Sequence, residues 1–189
     1  MAQTVLALDG LFLAAAFGLR TLIQWRRTGD AGWRLGRPHS RAEAAARALM
    51  LASAPLLVAA LWRDGASHSL PGLGLMGGGL ALALAAQWNM GAAWRIGVDP
   101  SERTELVSGG LYRWVRNPIY SGMALFVAGQ ALVTPGPWAA AALTSLALGV
   151  EIQVRAVEEP YLAATHGPRF AEWAARAGRF APFLGRARR

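Results

Sequence analysis

The last apolar block of the sequence carries charged side chains at helical spacing. Glu151, Arg155 and Glu158 stand at positions i, i+4 and i+7, which places them on one face of a helix. Glu159 follows, and Pro160 removes a backbone donor, so the helix is expected to end or kink there. Glu151 and Arg155 could simply neutralise each other. The adjacent acidic pair instead indicates a site, because an arginine-rich membrane face otherwise favours positive charge.

A second segment with possible chemistry runs from Ser108 to Tyr120 and is rich in arginine and aromatic residues. Within it, Asn117 is a good N-cap and Pro118 a good first helical residue, which predicts that a helix begins there. The free N–H groups and positive dipole end of such a helix attract a carboxylate or a phosphate. Ordinary capping and interfacial aromatic residues explain the same pattern without a ligand.

These residues are set in a strongly apolar chain. Hydrophobic residues make up 54% of the 189 residues and charged ones only 16%, against about 25% charged in a typical soluble domain. The apolar residues form blocks long enough to cross a bilayer core of roughly 30 Å. The sequence therefore predicts an all-α, polytopic membrane helix bundle with about five transmembrane helices. These helices are expected near Val5–Ile23, Ala44–Trp62, Leu70–Trp94, Pro118–Val133 and Trp138–Glu158.

The net charge is +8, and every basic residue is an arginine. The arginines stand beside the apolar spans, so anionic lipid headgroups, and not nucleic acid, are the expected counter-charge. The chain has no cysteine, and His39, His68 and His166 lie far apart in the sequence. No metal site is therefore expected.

Charged and aromatic residues near the helix ends are interpreted as interfacial. Asp9 and Arg20 lie near the two ends of the first apolar block, where their side chains can snorkel to the membrane surfaces. In the C-terminal tail, Phe170 and Trp173 alternate with arginines. This pattern predicts a short helix lying on the membrane surface.

The third apolar span contains the letters G-x-G-x-x-G, formed by Gly72, Gly74 and Gly77. A dinucleotide-binding fingerprint needs a preceding strand and a soluble crossover unit, and neither is predicted here. Glycines in a membrane helix usually permit close helix packing. We therefore predict a packing role for them.

The segment 134–137 is too short to do more than reverse the chain, so the fourth and fifth helices are expected to be antiparallel. The reversal brings the Asn117 end of one helix beside the Glu158 end of the other. One place then combines a positive helix terminus, arginines, aromatic rings and two carboxylates. That set suits a zwitterionic ligand with a carboxylate and an ammonium. We divide the single membrane domain into a three-helix part, residues 1–94, and a part that carries this site, residues 95–189.

Several pieces of the second half occur together at a characteristic spacing: Thr104–Val107, Gly110–Arg113, Arg116–Tyr120, and, after one hairpin, Glu158, Glu159 and Gly167. With them, residues 95–183 resemble the isoprenylcysteine carboxyl methyltransferase family. That family belongs with the phosphatidylethanolamine N-methyltransferases among small membrane methyltransferases. The resemblance implies methyl transfer from S-adenosylmethionine, bound between the last two helices and the tail at the cytoplasmic face.

The resemblance also implies a set of cofactor-binding residues. Glu158 would pair with the ammonium of the cofactor, and the start of the fourth helix would face its carboxylate. The rings of Tyr112 and Tyr120 would flank the adenine or the sulfonium. The full set is Leu106, Val107, Tyr112, Asn117, Pro118, Ile119, Tyr120 and Glu158.

The family usually has histidine before the proline, where this chain has Asn117. An amide can donate a hydrogen bond but cannot titrate, so a general base at this position is in doubt. Methyl transfer to an anionic acceptor needs mainly in-line placement and exclusion of water. Asn117 and Arg155, the latter as an acceptor contact, are the candidate catalytic residues. The acceptor is small or lipophilic, and a carboxylate, a thiol or an amine are all open.

Two other functions fit parts of the pattern. A membrane reductase of the sterol type has a similar layout of its last helices, and the cytoplasmic arginines could bind the phosphates of NADPH. A membrane scaffold or small transporter is the non-enzymatic alternative. A transporter usually places ionisable groups near the bilayer midplane in repeated halves, and here only Glu151 fits.

The arginine distribution predicts the topology of an integral membrane protein, in a bacterial inner membrane. Residues 24–47, 95–116 and 155–189 hold nearly all arginines, so the positive-inside rule places them in the cytoplasm and the N-terminus outside. A reporter fused after Arg189 should be cytoplasmic, and one inserted at Gly65 external. The same side for both reporters would show that the count of five helices is wrong.

Overall fold

The computed structural model describes residues 1–99 and 101–187. Within these ranges the chain is helical and contains no β-strand. Four helices are long and apolar enough to cross a membrane, and a fifth is shorter but apolar. The predicted polytopic membrane bundle is therefore confirmed. Its helices are α1 (Ala2–Thr28), α2 (Arg41–Arg63), α3 (Leu70–Met90), α4 (Pro118–Val133), α5 (Pro137–His166) and the short α6 (Pro168–Ala174).

The helix at α4 has the predicted bounds, but α1 and α5 are longer than predicted. Both contain a π-helical segment, Ala14–Leu19 in α1 and Gln153–Glu158 in α5. Pro160 does not end α5, which continues to His166. The reason is that the proline lies in the first turn after the π segment, where the missing N–H does not break the helix.

The bundle is built from two closely packed helix pairs, α3 with α4 and α2 with α5. A Cβ atom on Gly79 would lie 2.5 Å from the backbone nitrogen of Phe126, and one on Gly72 would lie 2.8 Å from the Gly129 carbonyl oxygen. Glycine is therefore required where α3 meets α4. The packing prediction is right for Gly72. It is wrong for the other two glycines of the motif, Gly74 and Gly77, which face open space.

The aromatic residues of the tail pack into the protein. Phe170 and Trp173 of α6 are buried in one cluster with Tyr112, Ala174 and Ala177. The indole Nε1 of Trp173 also donates to the carbonyl of Tyr112 at 2.8 Å. The predicted short helix forms as α6, but its aromatic rings face the segment that precedes α4 and not a membrane. Its place at a membrane surface stays a prediction.

Arg116 fastens the tail to the bundle, and its side chain is only 2% exposed. All five of its N–H donors are used. Nε and Nη2 donate to Glu159 at 3.1 and 2.8 Å, and Nη2 also donates to the Gly185 carbonyl. Nη1 donates to the carbonyls of Ala174 and Ala177. The segment before α4, the helix α5 and the tail are thus held together at one guanidinium.

Arg179 completes this cluster from the tail. Its Nε and Nη2 donate to the two carboxylate oxygens of Glu159 at 2.9 and 2.8 Å. These hydrogen bonds raise the pKa of Arg179 above its ordinary value, so its charge is firmly held. Glu159 therefore forms ion pairs with both Arg116 and Arg179.

The close approach of α3 and α4 can be tested with neighbouring glycines. We expect Gly79→Val to lower the melting temperature in detergent, because overpacking of this kind costs about 1–3 kcal/mol. Gly78→Val is the matched control, since a Cβ atom there meets nothing within 4 Å. Equal shifts for the two variants would contradict this packing.

The ion pairs of Glu159 with Arg116 and Arg179, which we call the tail clasp, lead to a second prediction. Glu159→Gln should destabilise the protein and release the tail, because it leaves two arginines without their carboxylate. Breaking a buried pair costs roughly 3–5 kcal/mol, and the lower end applies because the Glu159 side chain is 17% exposed. Thermal unfolding and trypsin cleavage after Arg179 measure the effect. Glu172→Gln, at an exposed position on α6, should change neither, and a Glu159→Gln protein as resistant as wild type would refute the clasp.

Candidate functional site

Glu158 lies at the end of the π segment of α5, beside the start of α4. Its Oε1 accepts a hydrogen bond from the hydroxyl of Tyr120 at 2.6 Å and one from Nε2 of Gln153 at 3.2 Å. Among the described residues, no arginine or histidine nitrogen lies within 4.0 Å of this carboxylate. The side chain is partly exposed. Glu158 is thus an oriented carboxylate without a counter-charge, in the kind of helical irregularity that is frequent at functional sites.

Tyr112 lies in the buried cluster on the other side of this region. Its hydroxyl donates to the Met90 sulfur at 3.6 Å. Burial raises the pKa of Tyr112 above its ordinary value, and the nearby charge of Glu158 raises it further, while the charge of Arg20 opposes the rise. The phenol is therefore neutral at physiological pH, and the ring lies within electrostatic reach of both charges.

The remaining predicted residues lie around these two. Leu106 and Val107 pack against the Tyr112 cluster together with Leu162, which is one helical turn beyond Glu158. Pro118 is buried at the start of α4, and Ile119 is partly exposed beside it. The fold thus brings the segment before α4, the first turn of α4 and the last part of α5 to one end of the bundle.

Asn117 occupies the N-cap position of α4, but its side chain makes no capping hydrogen bond. Instead its Nδ2 donates to the carbonyl of Arg179 at 3.1 Å. The hydroxyl of Ser121, one turn into the helix, donates to the carbonyl of Phe180 at 2.6 Å. The predicted side-chain cap is wrong because the tail lies over the helix start and takes the Asn117 amide. Its catalytic and cofactor-binding roles stay predictions.

The two charge clusters of α5 behave differently. Arg155 forms an ion pair with Glu151, and both side chains are well exposed, at 59% and 42%. This is the local neutralisation that the sequence left open, so Arg155 as an acceptor contact stays a prediction. Glu159 is engaged by Arg116 and Arg179. Of the two adjacent carboxylates, only Glu158 is free of a cation among the described residues.

Arg20 is the main residue that sequence reasoning placed wrongly. It does not snorkel: it is 6% exposed, its Nη2 donates to the Gly91 carbonyl, and its guanidinium lies 4.8 Å from the ring centre of Trp94. The available signal was a single arginine inside an apolar span, because an ionisable residue in a membrane helix points to a partner or a site. Gln153, the second donor to Glu158, was also missed.

A cavity of about 450 Å³ opens elsewhere, between the start of α2, the segment after α3 and α5. Its polar lining includes Glu43, Glu102 and Tyr161, and none of the predicted cofactor-binding residues. The hydroxyl of Tyr161 donates to the Glu102 carbonyl at 2.6 Å and closes one wall. No group of three His, Asp or Glu side chains in the described ranges is placed to hold a metal ion.

Comparison with protein-family models matches residues 68–169 to the phospholipid methyltransferase family. The match spans more than half of the chain and contains every predicted site residue, from Leu106 to Glu158. A search of curated proteins finds no match. The matched family is related to the isoprenylcysteine carboxyl methyltransferases, which confirms the resemblance drawn from the motifs. The chain therefore belongs to the phospholipid methyltransferase family of membrane methyltransferases.

Proposed function

We propose that the protein transfers a methyl group from S-adenosylmethionine to a lipophilic acceptor that reaches it from the bilayer. The observation that carries this proposal is the carboxylate of Glu158, which Tyr120 and Gln153 orient and no described cation neutralises. Members of the family generally use this cofactor. Its amino-acid end carries an ammonium, which is the natural partner of such a carboxylate.

The surrounding residues fit the same ligand. The Oε1 atom of Gln153 is buried without a hydrogen-bond partner and offers a second acceptor for an ammonium. When bound, S-adenosylmethionine supplies an electrophilic methyl group on a sulfonium. Tyr112 keeps a neutral aromatic ring at physiological pH, because its pKa is raised, and a neutral ring can face a cation. Leu106, Val107 and Ile119 are partly exposed and apolar, so they can exclude water from the adenosine and the reacting centre.

The position of the site along the bundle favours an acceptor from the membrane. Glu158 lies roughly 30 Å along α5 from Pro137 at the rise of an α-helix, close to the thickness of the hydrocarbon core. A site at that depth meets the boundary between acyl chains and headgroups. The description of the family favours a phospholipid as acceptor. The methylated atom, on an amine, carboxylate or thiol, can be identified from the fragmentation of the product in mass spectrometry after turnover.

The family match favours methyl transfer over the reductase alternative. That alternative needs arginines to bind the phosphates of NADPH. Five arginines of the loops and tail are paired with carboxylates: Arg34 and Arg95 with Asp30 and Glu102, Arg47 with Glu43, and Arg116 and Arg179 with Glu159. Others, such as Arg103, Arg113 and Arg169, form no ion pair among the described residues, so a direct binding test has to separate the two cofactors.

Calorimetry and thermal shift on the purified protein test the proposal. S-adenosylhomocysteine should bind and raise the melting temperature, and NADPH should not. Glu158→Gln should lower the affinity for S-adenosylhomocysteine about ten- to a hundredfold, since a charge-assisted hydrogen bond is worth about 1.5–3 kcal/mol. Glu151→Gln, which removes the exposed carboxylate paired with Arg155, is the matched control and should bind like wild type. Binding of NADPH alone would refute the proposed cofactor, and an unchanged affinity in Glu158→Gln would refute the assigned contact.

A further inference from the structure

Arg20 is a buried cation in a membrane helix without a counter-ion. It is 6% exposed, and among the described residues no carboxylate lies within 4.0 Å of its guanidinium. Its Nε atom is buried and has no hydrogen-bond partner. Burying a charge in this way is costly unless it is paired. The structure therefore leaves both a positive charge and a donor at Arg20 for an anion.

A purely structural role does not require the charge. Arg20 and Gln24, one turn apart, donate to the carbonyls of Gly91 and Ala92 and so fasten α1 to the end of α3. The neutral amide of Gln24 makes its bond at 2.8 Å. Anchoring thus accounts for one Nη2 donor of Arg20, and the ring of Trp94 faces its guanidinium at 4.8 Å, but neither contact supplies a counter-anion or a partner for the free Nε.

The position of Arg20 connects it to the candidate site. Its Nη2 contacts the carbonyl of Gly91, and the preceding residue, Met90, accepts the hydroxyl hydrogen bond of Tyr112. Tyr112 also lies within electrostatic reach of Glu158. The π segment Ala14–Leu19 ends directly before Arg20, as the π segment of α5 ends at Glu158. Two opposite charges, neither with an ion-pair partner in residues 1–99 and 101–187, thus lie near one tyrosine.

We propose that Arg20 binds the carboxylate of the amino-acid end of S-adenosylmethionine, while Glu158 binds its ammonium. The inference rests on the proposed cofactor and adds a residue from outside the range 68–169 that matches the family. It also replaces the predicted carboxylate site at the start of α4, which the tail covers through Asn117 and Ser121. In this arrangement α1 is part of the binding site and not only padding for the bundle.

The test compares two ligands on each variant: S-adenosylhomocysteine and the thioether analogue that lacks only its carboxyl group. Wild type should prefer the complete ligand about ten- to a hundredfold in calorimetry, the range of a charge-assisted hydrogen bond. Arg20→Gln should reduce this preference to less than about threefold, because the amide keeps a donor for Gly91 but carries no charge. Since both affinities come from the same protein sample, partial unfolding does not change their ratio.

Controls separate the possible failures. Arg27→Gln, an exposed arginine on α1 that stacks on Trp88, should keep the wild-type preference. Glu158→Gln should weaken the binding of both ligands and also keep the wild-type preference for the complete ligand. If Arg20→Gln does not fold, Arg20→Lys takes its place in the test. The lysine side chain is shorter, so it should lower the preference for the complete ligand at least threefold. An unchanged preference in the Arg20 variant, or no preference in wild type, would overturn the assignment of Arg20. Failure of wild type to bind S-adenosylhomocysteine would instead refute the proposed function.

Discussion

The guanidinium of Arg116 is the constraint on which the candidate site depends. Its five donors bind the carboxylate of Glu159 and three backbone carbonyls of the tail, so three parts of the chain meet at one buried charge. Because a buried donor without a hydrogen-bond partner is costly, the tail has little freedom in how it crosses the start of α4. This arrangement also neutralises Glu159, whereas its neighbour Glu158 has no ion-pair partner in the part of the chain that the structure describes.

The charges of this membrane protein fall into two groups. Some paired charges join distant segments, as Arg34 does with Glu102. Arg34 also binds Asp30 in its own loop, and this hydrogen bond keeps the pKa of Asp30 well below its usual range. Other charges have no ion-pair partner among the described residues, and two of these, Glu158 and Arg20, are in helices that contain a π segment. An uncompensated charge in low dielectric is costly to keep, so its presence is more easily explained by a ligand than by stability. The proposed binding of a zwitterion would satisfy both charges at once.

The helices that meet at the candidate site differ in length. The 16 residues of α4 span about 24 Å, less than a hydrocarbon core of roughly 30 Å, whereas α5 is long enough to continue beyond it. The tail lies over the start of this short helix, through the contacts of Asn117 and Ser121. The glycine contacts between α3 and α4 hold this short helix in place, and the end of α3 carries the residues that contact Tyr112 and Arg20.

The sequence by itself determined the helical bundle, because a backbone within lipid must form its hydrogen bonds inside each helix, and long apolar blocks leave no other choice. It also determined the start of α4 at Pro118 and the family, through motifs whose spacing is local. The boundary between residues 94 and 95 remains a prediction of the sequence. Only the tertiary structure decided which charges are paired: Glu159 with Arg116, 43 positions apart, and not with a ligand. It likewise decided that Arg20 of α1 is buried against the end of α3. Helical spacing shows which residues share a face, but the partner of a charge depends on which helices pack together and on where the tail crosses them.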